Sequence, residues 1–224
     1  MLRYLVLAIV LLAVPAGAQM AGEEVKACVP NGDPMDPEGE QKNLTRNWPQ
    51  EAERYKGNDQ NVSRRGDLLR LALEGGKTVE LVDCPYGDTA YQYLYERYDD
   101  AGRFYVIRTP AHEDFSYTLV MKLTGRLFTV YSSPVWTSDK SRFLTVACTL
   151  LPTRGSLAIH KPSDDGLALE AEIELPCGME SCAARWDFQS WISVSCMPWS
   201  DTGKKGTEFV VLRGGAGSWR RFGR

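Results

Sequence analysis

The stretch Ser116–Leu150, SYTLVMKLTGRLFTVYSSPVWTSDKSRFLTVACTL, limits the possible folds more than any other part of the chain. Two runs of alternating apolar residues flank the turn pair Thr124-Gly125. A third run follows the corner from Pro134-Val135-Trp136 to Ser138-Asp139-Lys140. Such alternation marks half-buried strands, because successive strand side chains point to opposite faces. The same pattern holds from Asp67 onward. Leu68–Leu73 and Thr78–Val82 flank Glu74-Gly75-Gly76-Lys77, and Tyr91–Tyr98 and Arg103–Arg108 flank Asp99-Asp100-Ala101-Gly102. Phe143–Leu150, Ser156–His160, Ala168–Leu175, Trp191–Cys196 and Glu208–Leu212 complete the set. No window beyond the N-terminal leader keeps a helical apolar period for three turns. The expected class is all-β, built of antiparallel sheets.

Residues 1–18, MLRYLVLAIVLLAVPAGA, have the form of a secretory signal peptide. Arg3 is the basic start, Tyr4–Val14 the apolar centre and Ala16-Gly17-Ala18 the small-residue cleavage site. The apolar run is well short of the about 20 residues that span a bilayer. The expected product is exported, periplasmic or secreted, with no membrane span once the leader is cut. Loss of Arg3 takes the formal net charge from −3 to −4. A mildly acidic chain lacks the clustered Lys and Arg that a phosphate backbone calls for, so nucleic acid is an unfavoured partner. Residues 19–66 are rich in Pro, Gly, Asn, Asp and Glu and poor in apolar side chains, and read as a poorly ordered segment. The β domain is expected over 67–213, followed by a flexible basic tail over 214–224.

Six cysteines in an exported chain favour disulfides over metal. Cys177 and Cys182 are close in sequence and form the expected local pair. Cys148 and Cys196 each end a strand-like run and are the next guess, which leaves Cys28 to Cys84. No second Cys or His pair follows at zinc-ligand spacing, so no metal and no cofactor is expected.

Three stretches resemble one another: Tyr98–Val106, Trp136–Leu144 and Trp186–Val194. Each carries a bulky aromatic, a polar corner with Asp, and an aromatic that opens an apolar strand. The opening aromatics Phe104, Phe143 and Trp191 lie 39 and 48 residues apart, close to the length of a four-stranded blade. In such a unit the aromatic plugs the space between neighbours and the Asp caps the turn. The middle unit, Thr124-Gly125…Pro134-Val135-Trp136-Thr137-Ser138-Asp139-Lys140, resembles a blade of the TolB-type β-propellers, with Thr137, Ser138 and Lys140 standing for Ser, Pro and Gly of that pattern. The resemblance implies propeller-like sheets. With room for three blades and four or more needed to close a propeller, the expected architecture is a propeller-like or sandwich-like stack. It also extends to small exported bacterial proteins, and brings no activity with it.

The residues that carry chemistry are sparse. Only His112 and His160 are present, and no Gly-x-Ser-x-Gly elbow accompanies them. His112-Glu113-Asp114 reads as a solvated loop, and no catalytic residue is assigned. Alternation over Ala168–Leu175 puts Glu170, Glu172 and Glu174 on one solvated face and Leu169, Ala171, Ile173 and Leu175 inward. Tyr91, Tyr93 and Tyr95 share one face of YQYLYERY, where they either present a row of rings to a ligand or pack beneath a neighbouring strand. These features point to a non-catalytic, disulfide-stabilised factor that binds a protein or glycan of the bacterial envelope. The alternatives are an envelope hydrolase with carboxylates gathered from separate loops, and an inhibitor of a secreted enzyme such as lysozyme.

Overall fold

The alternating runs become strands in a computed structural model that describes residues 51, 53–54, 60–84, 91–110, 115–148, 155–164, 166–175, 180–198, 207–214 and 218–223. The leader, residues 19–50, Cys28, Cys177 and His112-Glu113-Asp114 lie outside the described residues. Four antiparallel sheets follow one another along the chain, each made of strands consecutive in sequence. Sheet 1 comprises β1 (Val62–Arg65), β2 (Leu68–Ala72) and β3 (Thr78–Val82). Sheet 2 comprises β4 (Leu94–Asp99), β5 (Phe104–Pro110), β6 (Phe115–Met121) and β7 (Leu127–Val130). Sheet 3 comprises β8 (Val135–Trp136), β9 (Phe143–Ala147), β10 (Gly155–Ser163) and β11 (Gly166–Leu175). Sheet 4 comprises β12 (Glu180–Phe188), β13 (Trp191–Pro198), β14 (Thr207–Arg213) and β15 (Trp219–Gly223).

Alternation decides how the sheets stack. In sheet 2, Tyr105, Ile107 and Val120 face sheet 1, where they meet Leu69, Leu71 and Leu81. Their neighbours Phe104, Val106, Leu119 and Met121 face sheet 3 and meet Phe143. On the other side of sheet 3, Leu144, Leu157, Ile159 and Leu175 meet Ile192, Val194, Phe209 and Val211 of sheet 4. Each of these fully buried side chains contributes about 1.5–3 kcal/mol by leaving water. Among the described residues no core cluster joins sheet 4 back to sheet 1, so the all-β stack is open rather than closed.

The corners use the residues that the sequence singles out. At Gly125 φ is +72°, and a Cβ would come within 2.7 Å of Leu73 Cδ1, so both the turn and the packing require glycine. Lys140 has φ 58°, in the left-handed region that few residues other than glycine adopt. Asp139 Oδ1 accepts from the Ser141 backbone N–H at 3.0 Å and the Thr137 hydroxyl at 2.7 Å, which ties that corner down.

The structure corrects four expectations. Cys148 is bonded to Cys182, with Cα atoms 5.8 Å apart, which removes both the Cys177–Cys182 loop and the Cys148–Cys196 link. The bond crosses from the end of β9 to β12, because sheet 4 packs on sheet 3 and brings those strands together. Cys84 and Cys196 are also in disulfides. The basic tail is not loose at Trp219–Gly223, which pairs with β14 and seats Trp219 against Trp186 at 5.7 Å. Within 19–66, Val62–Arg65 is a strand of sheet 1, and Glu51 is buried. Finally, a β-bulge between Ile159 and His160 breaks the alternation of β11. His160 pairs with Leu169 and Ile159 with Ala171, which leaves Glu170 as the extra residue.

Candidate functional site

The open stack has two outer faces, and they differ in chemistry. On sheet 1 the outward side chains include the Arg70–Glu80 ion pair, more than two-fifths exposed on each side. That is a solvated end. On sheet 4, Phe188 is 67% exposed, Phe222 51% and Trp191 36%. The register explains how these residues come together. Across the sheet one row runs Phe188, Trp191, Leu212, and the next runs Arg185, Ser193, Val210, Phe222. A bulge between Trp186 and Phe188 turns both Asp187 and Phe188 outward, while Trp186 stays inward against sheet 3.

Phe188 and Trp191 touch, with ring centroids 6.0 Å apart and planes at 49°. Beside them Asp187 is held from two sides. Arg185 Nε donates to Oδ1 at 3.0 Å, and the Ser193 hydroxyl donates to Oδ2. The Ser193 bond first, and then Arg185, hold the Asp187 carboxyl below its usual range. Ala183, Ser193 and Ser195 are small, so a shallow depression of about 170 Å³ opens between them, bordered by Arg185, Glu208 and Val210. The result is an aromatic edge, an exposed guanidinium–carboxylate pair and a concave floor on one sheet face that none of the described residues covers. Groups of this kind can offer ring contact and directed hydrogen bonds.

The tyrosine row has the opposite fate. Tyr93 and Tyr95 are buried and belong to the core between sheets 1 and 2, and Tyr91 packs on Tyr93 at 5.3 Å. Their rings support the fold, which corrects the reading of Tyr91, Tyr93 and Tyr95 as a ligand-facing row. Their backbone is also clamped. The Tyr93 N–H donates to Asp83 at 2.8 Å and the Tyr95 N–H to Glu51 at 2.7 Å. Arg64 stands between the two carboxylates, 2.6 Å from Glu51 and 2.9 Å from Asp83. Burial pushes the Asp83 carboxyl up to about 6, against the downward pull of Arg64. This buried cluster joins residue 51, β1, the end of β3 and the start of β4.

His160 is equally enclosed. It stacks on Phe143 at 5.0 Å and its Nε2 lies 3.3 Å from the Thr145 hydroxyl. Burial lowers its pKa to about 4, so the imidazole is neutral near pH 7. Glu170, expected in solvent with Glu172 and Glu174, instead turns to Arg142, to Arg213 at 3.0 Å and to the Trp219 indole at 3.4 Å. The bulge is the cause of that turn. Among the described residues no three His, Cys, Asp or Glu side chains gather as a metal site, and no helix is long and apolar enough to cross a membrane.

The exposed group was partly legible in the sequence. Trp186-Asp187-Phe188…Trp191 stands out as the third aromatic corner, but only the bulge decides that Phe188 and Asp187 share an outer face with Trp191. No protein family, curated protein or solved structure matches the chain.

Proposed function

We propose that the chain is a non-catalytic, exported binding protein of the bacterial envelope, and that it holds a protein or glycan partner against the outer face of sheet 4. One observation carries this reading: Phe188 and Trp191 stand exposed in mutual contact, beside the hydrogen-bonded Arg185–Asp187–Ser193 group. Aromatic anchors next to prepositioned polar groups are the usual energetic centre of a recognition surface. The other candidate side chains are engaged in folding. Tyr93, Tyr95 and His160 are buried, and Asp83 and Glu51 are bound by Arg64 and backbone N–H groups.

The test compares the mature protein with a Phe188→Ala/Trp191→Ala variant, using immobilised peptidoglycan fragments and a separate envelope protein extract. Retention of the native chain by one of these, and at least a tenfold loss for the variant, is the expected result. Equal retention of both chains, or no retention of the native chain by either matrix, removes the proposal.

A further inference from the structure

The three buried interfaces of this molecule are of one kind: an alternating apolar sheet face laid on another. The series stops at sheet 4, whose outer face mixes exposed aromatic rings with charged side chains and has nothing of this chain among the described residues against it. End units of stacked arrays need a polar outer face to stay apart in water. Sheet 1 meets that need with Arg70 and Glu80, apart from Val82 at its end. Sheet 4 meets it only in part: Phe188, Trp191 and Phe222 stand exposed among the outward charges of Arg185, Glu208 and Arg220.

We infer that a second copy of the chain covers this face, sheet 4 on sheet 4, around a two-fold axis that runs along β13. The inference rests on the reading of this face as a contact surface and supplies its first occupant. The residue rows make it self-complementary. An axis along β13 sets Trp191 opposite its own counterpart, because Trp191 lies on that central strand. It exchanges the strands on either side, so that β12 of one copy lies over β14 of the other. Phe188 then covers Leu212, since both are register partners of Trp191. Arg185 covers Val210, since both are partners of Ser193. Glu208 lies one residue pair along β14 from Val210, a distance of about 7 Å, within reach of the long Arg185 side chain.

Each copy therefore offers an aromatic ring to an aliphatic side chain and a cation to an anion, twice over, as a two-fold interface requires. Inclining the axis by about 15° to β13 gives the crossing of ordinary aligned sheets and keeps these pairs in reach. A partner that uses the same face would have to displace the second copy.

Sedimentation equilibrium of the full mature chain over roughly two decades of concentration tests the inference. The native protein is expected to dimerise. Arg185→Glu and Glu208→Arg should each raise the dimer dissociation constant at least tenfold, with circular dichroism unchanged. The double variant Arg185→Glu/Glu208→Arg should recover most of that loss, because the reversed pairs attract again. Arg185→Glu sets a second carboxylate beside Asp187 in the single and the double variant alike, so that local repulsion cancels when those two are compared. A native chain that stays monomeric throughout overturns the inference, and so does a double variant no better than either single one. If the native chain is monomeric while Phe188→Ala/Trp191→Ala still loses envelope retention, the dimer fails and the proposed function stands. If the charge pattern controls dimerisation while retention is indifferent to Phe188 and Trp191, the dimer stands and the proposed function fails.

Discussion

The indole N–H of Trp136 donates to the Asp99 carboxylate at 2.8 Å, from the short edge strand of sheet 3 to the last residue of β4 in sheet 2. Asp99 is 8% exposed, and its other oxygen accepts from the Gly102 N–H at 3.1 Å. One carboxylate thus closes the hairpin turn of its own sheet and fastens the neighbouring sheet. The ring of Trp136 lies at 6.1 Å from Phe104 and 5.0 Å from Phe143, so its apolar body and polar tip serve the same junction. Trp136→Phe keeps much of the ring contact but removes the donor. The expected cost is about 1.5–3 kcal/mol in urea unfolding, the usual worth of a hydrogen bond to a charged group, with Arg97 still 3.9 Å from that oxygen. An unfolding midpoint equal to that of the native chain would show that the bond holds nothing.

Glu170 makes a comparable junction between sheets 3 and 4, where the bulge in β11 aims it at Arg142, Arg213 and Trp219. Two guanidinium groups depend on this one carboxylate, and its side chain is 18% exposed. Glu170→Ala leaves both cations without it at a partly wet site, which sets the expected loss at about 1–3 kcal/mol rather than the larger figure for a dry interior. Arg213 and Trp219 belong to the last hairpin, so amide exchange in Trp219–Gly223 should accelerate more than exchange in β5 or β6. Uniform acceleration across all four sheets would mean that Glu170 supports global stability without a special hold on β15.

These two junctions show where the sequence speaks and where it falls silent. Strands β2, β3, β5, β6, β9 and β14 are legible because one or both faces are buried and the apolar period is unbroken. β1 is hidden because Arg64 points inward, to Glu51 and Asp83, where the pattern calls for an apolar residue. β12 is hidden because Ala183, Ala184 and Arg185 give no contrast between its faces. The bulges at Glu170 and Asp187 shift the faces by one residue, and nothing in the local sequence announces them. The Cys148–Cys182 bond follows from how sheet 4 packs on sheet 3, a long-range fact that cysteine spacing does not contain. The exposed aromatics of sheet 4 are legible as residues but not as a surface, since exposure depends on being last in the stack.

His160 makes the fold sensitive to acid. Its pKa falls from 6.5 to about 4 through burial, so the unfolded chain takes up this proton more readily than the folded one. A depressed folded pKa contributes stability above about pH 6.5 that is lost as pH falls towards 4. His160→Asn removes the titration while keeping a polar group near the Thr145 hydroxyl. The difference in unfolding free energy between the native chain and the variant should move in the variant's favour by up to about 3 kcal/mol from pH 7 to pH 4. A difference independent of pH would show that the imidazole is more hydrated than its packing against Phe143 implies.

Asp83 acts in the opposite direction over much of the same range. Burial raises its pKa from 3.8 to about 6, despite the nearby Arg64 guanidinium and the Tyr93 N–H. The folded chain therefore holds this proton more tightly than the unfolded one. The contribution to stability is fully present below about pH 4 and is lost as pH rises through 6. Asp83→Asn fixes the site in an uncharged form, although Arg64 then loses the Asp83 charge and keeps that of Glu51. Because Arg64 loses a charged partner there, absolute stability is a poor guide, and the informative quantity is the slope against pH. From pH 7 to pH 4 the native chain should gain on Asp83→Asn by at most about 3 kcal/mol, opposite in sign to the His160→Asn comparison. A slope of the same sign for both variants would place the Asp83 proton with the unfolded chain, and would make the Arg64 pairing stronger than the cost of burial.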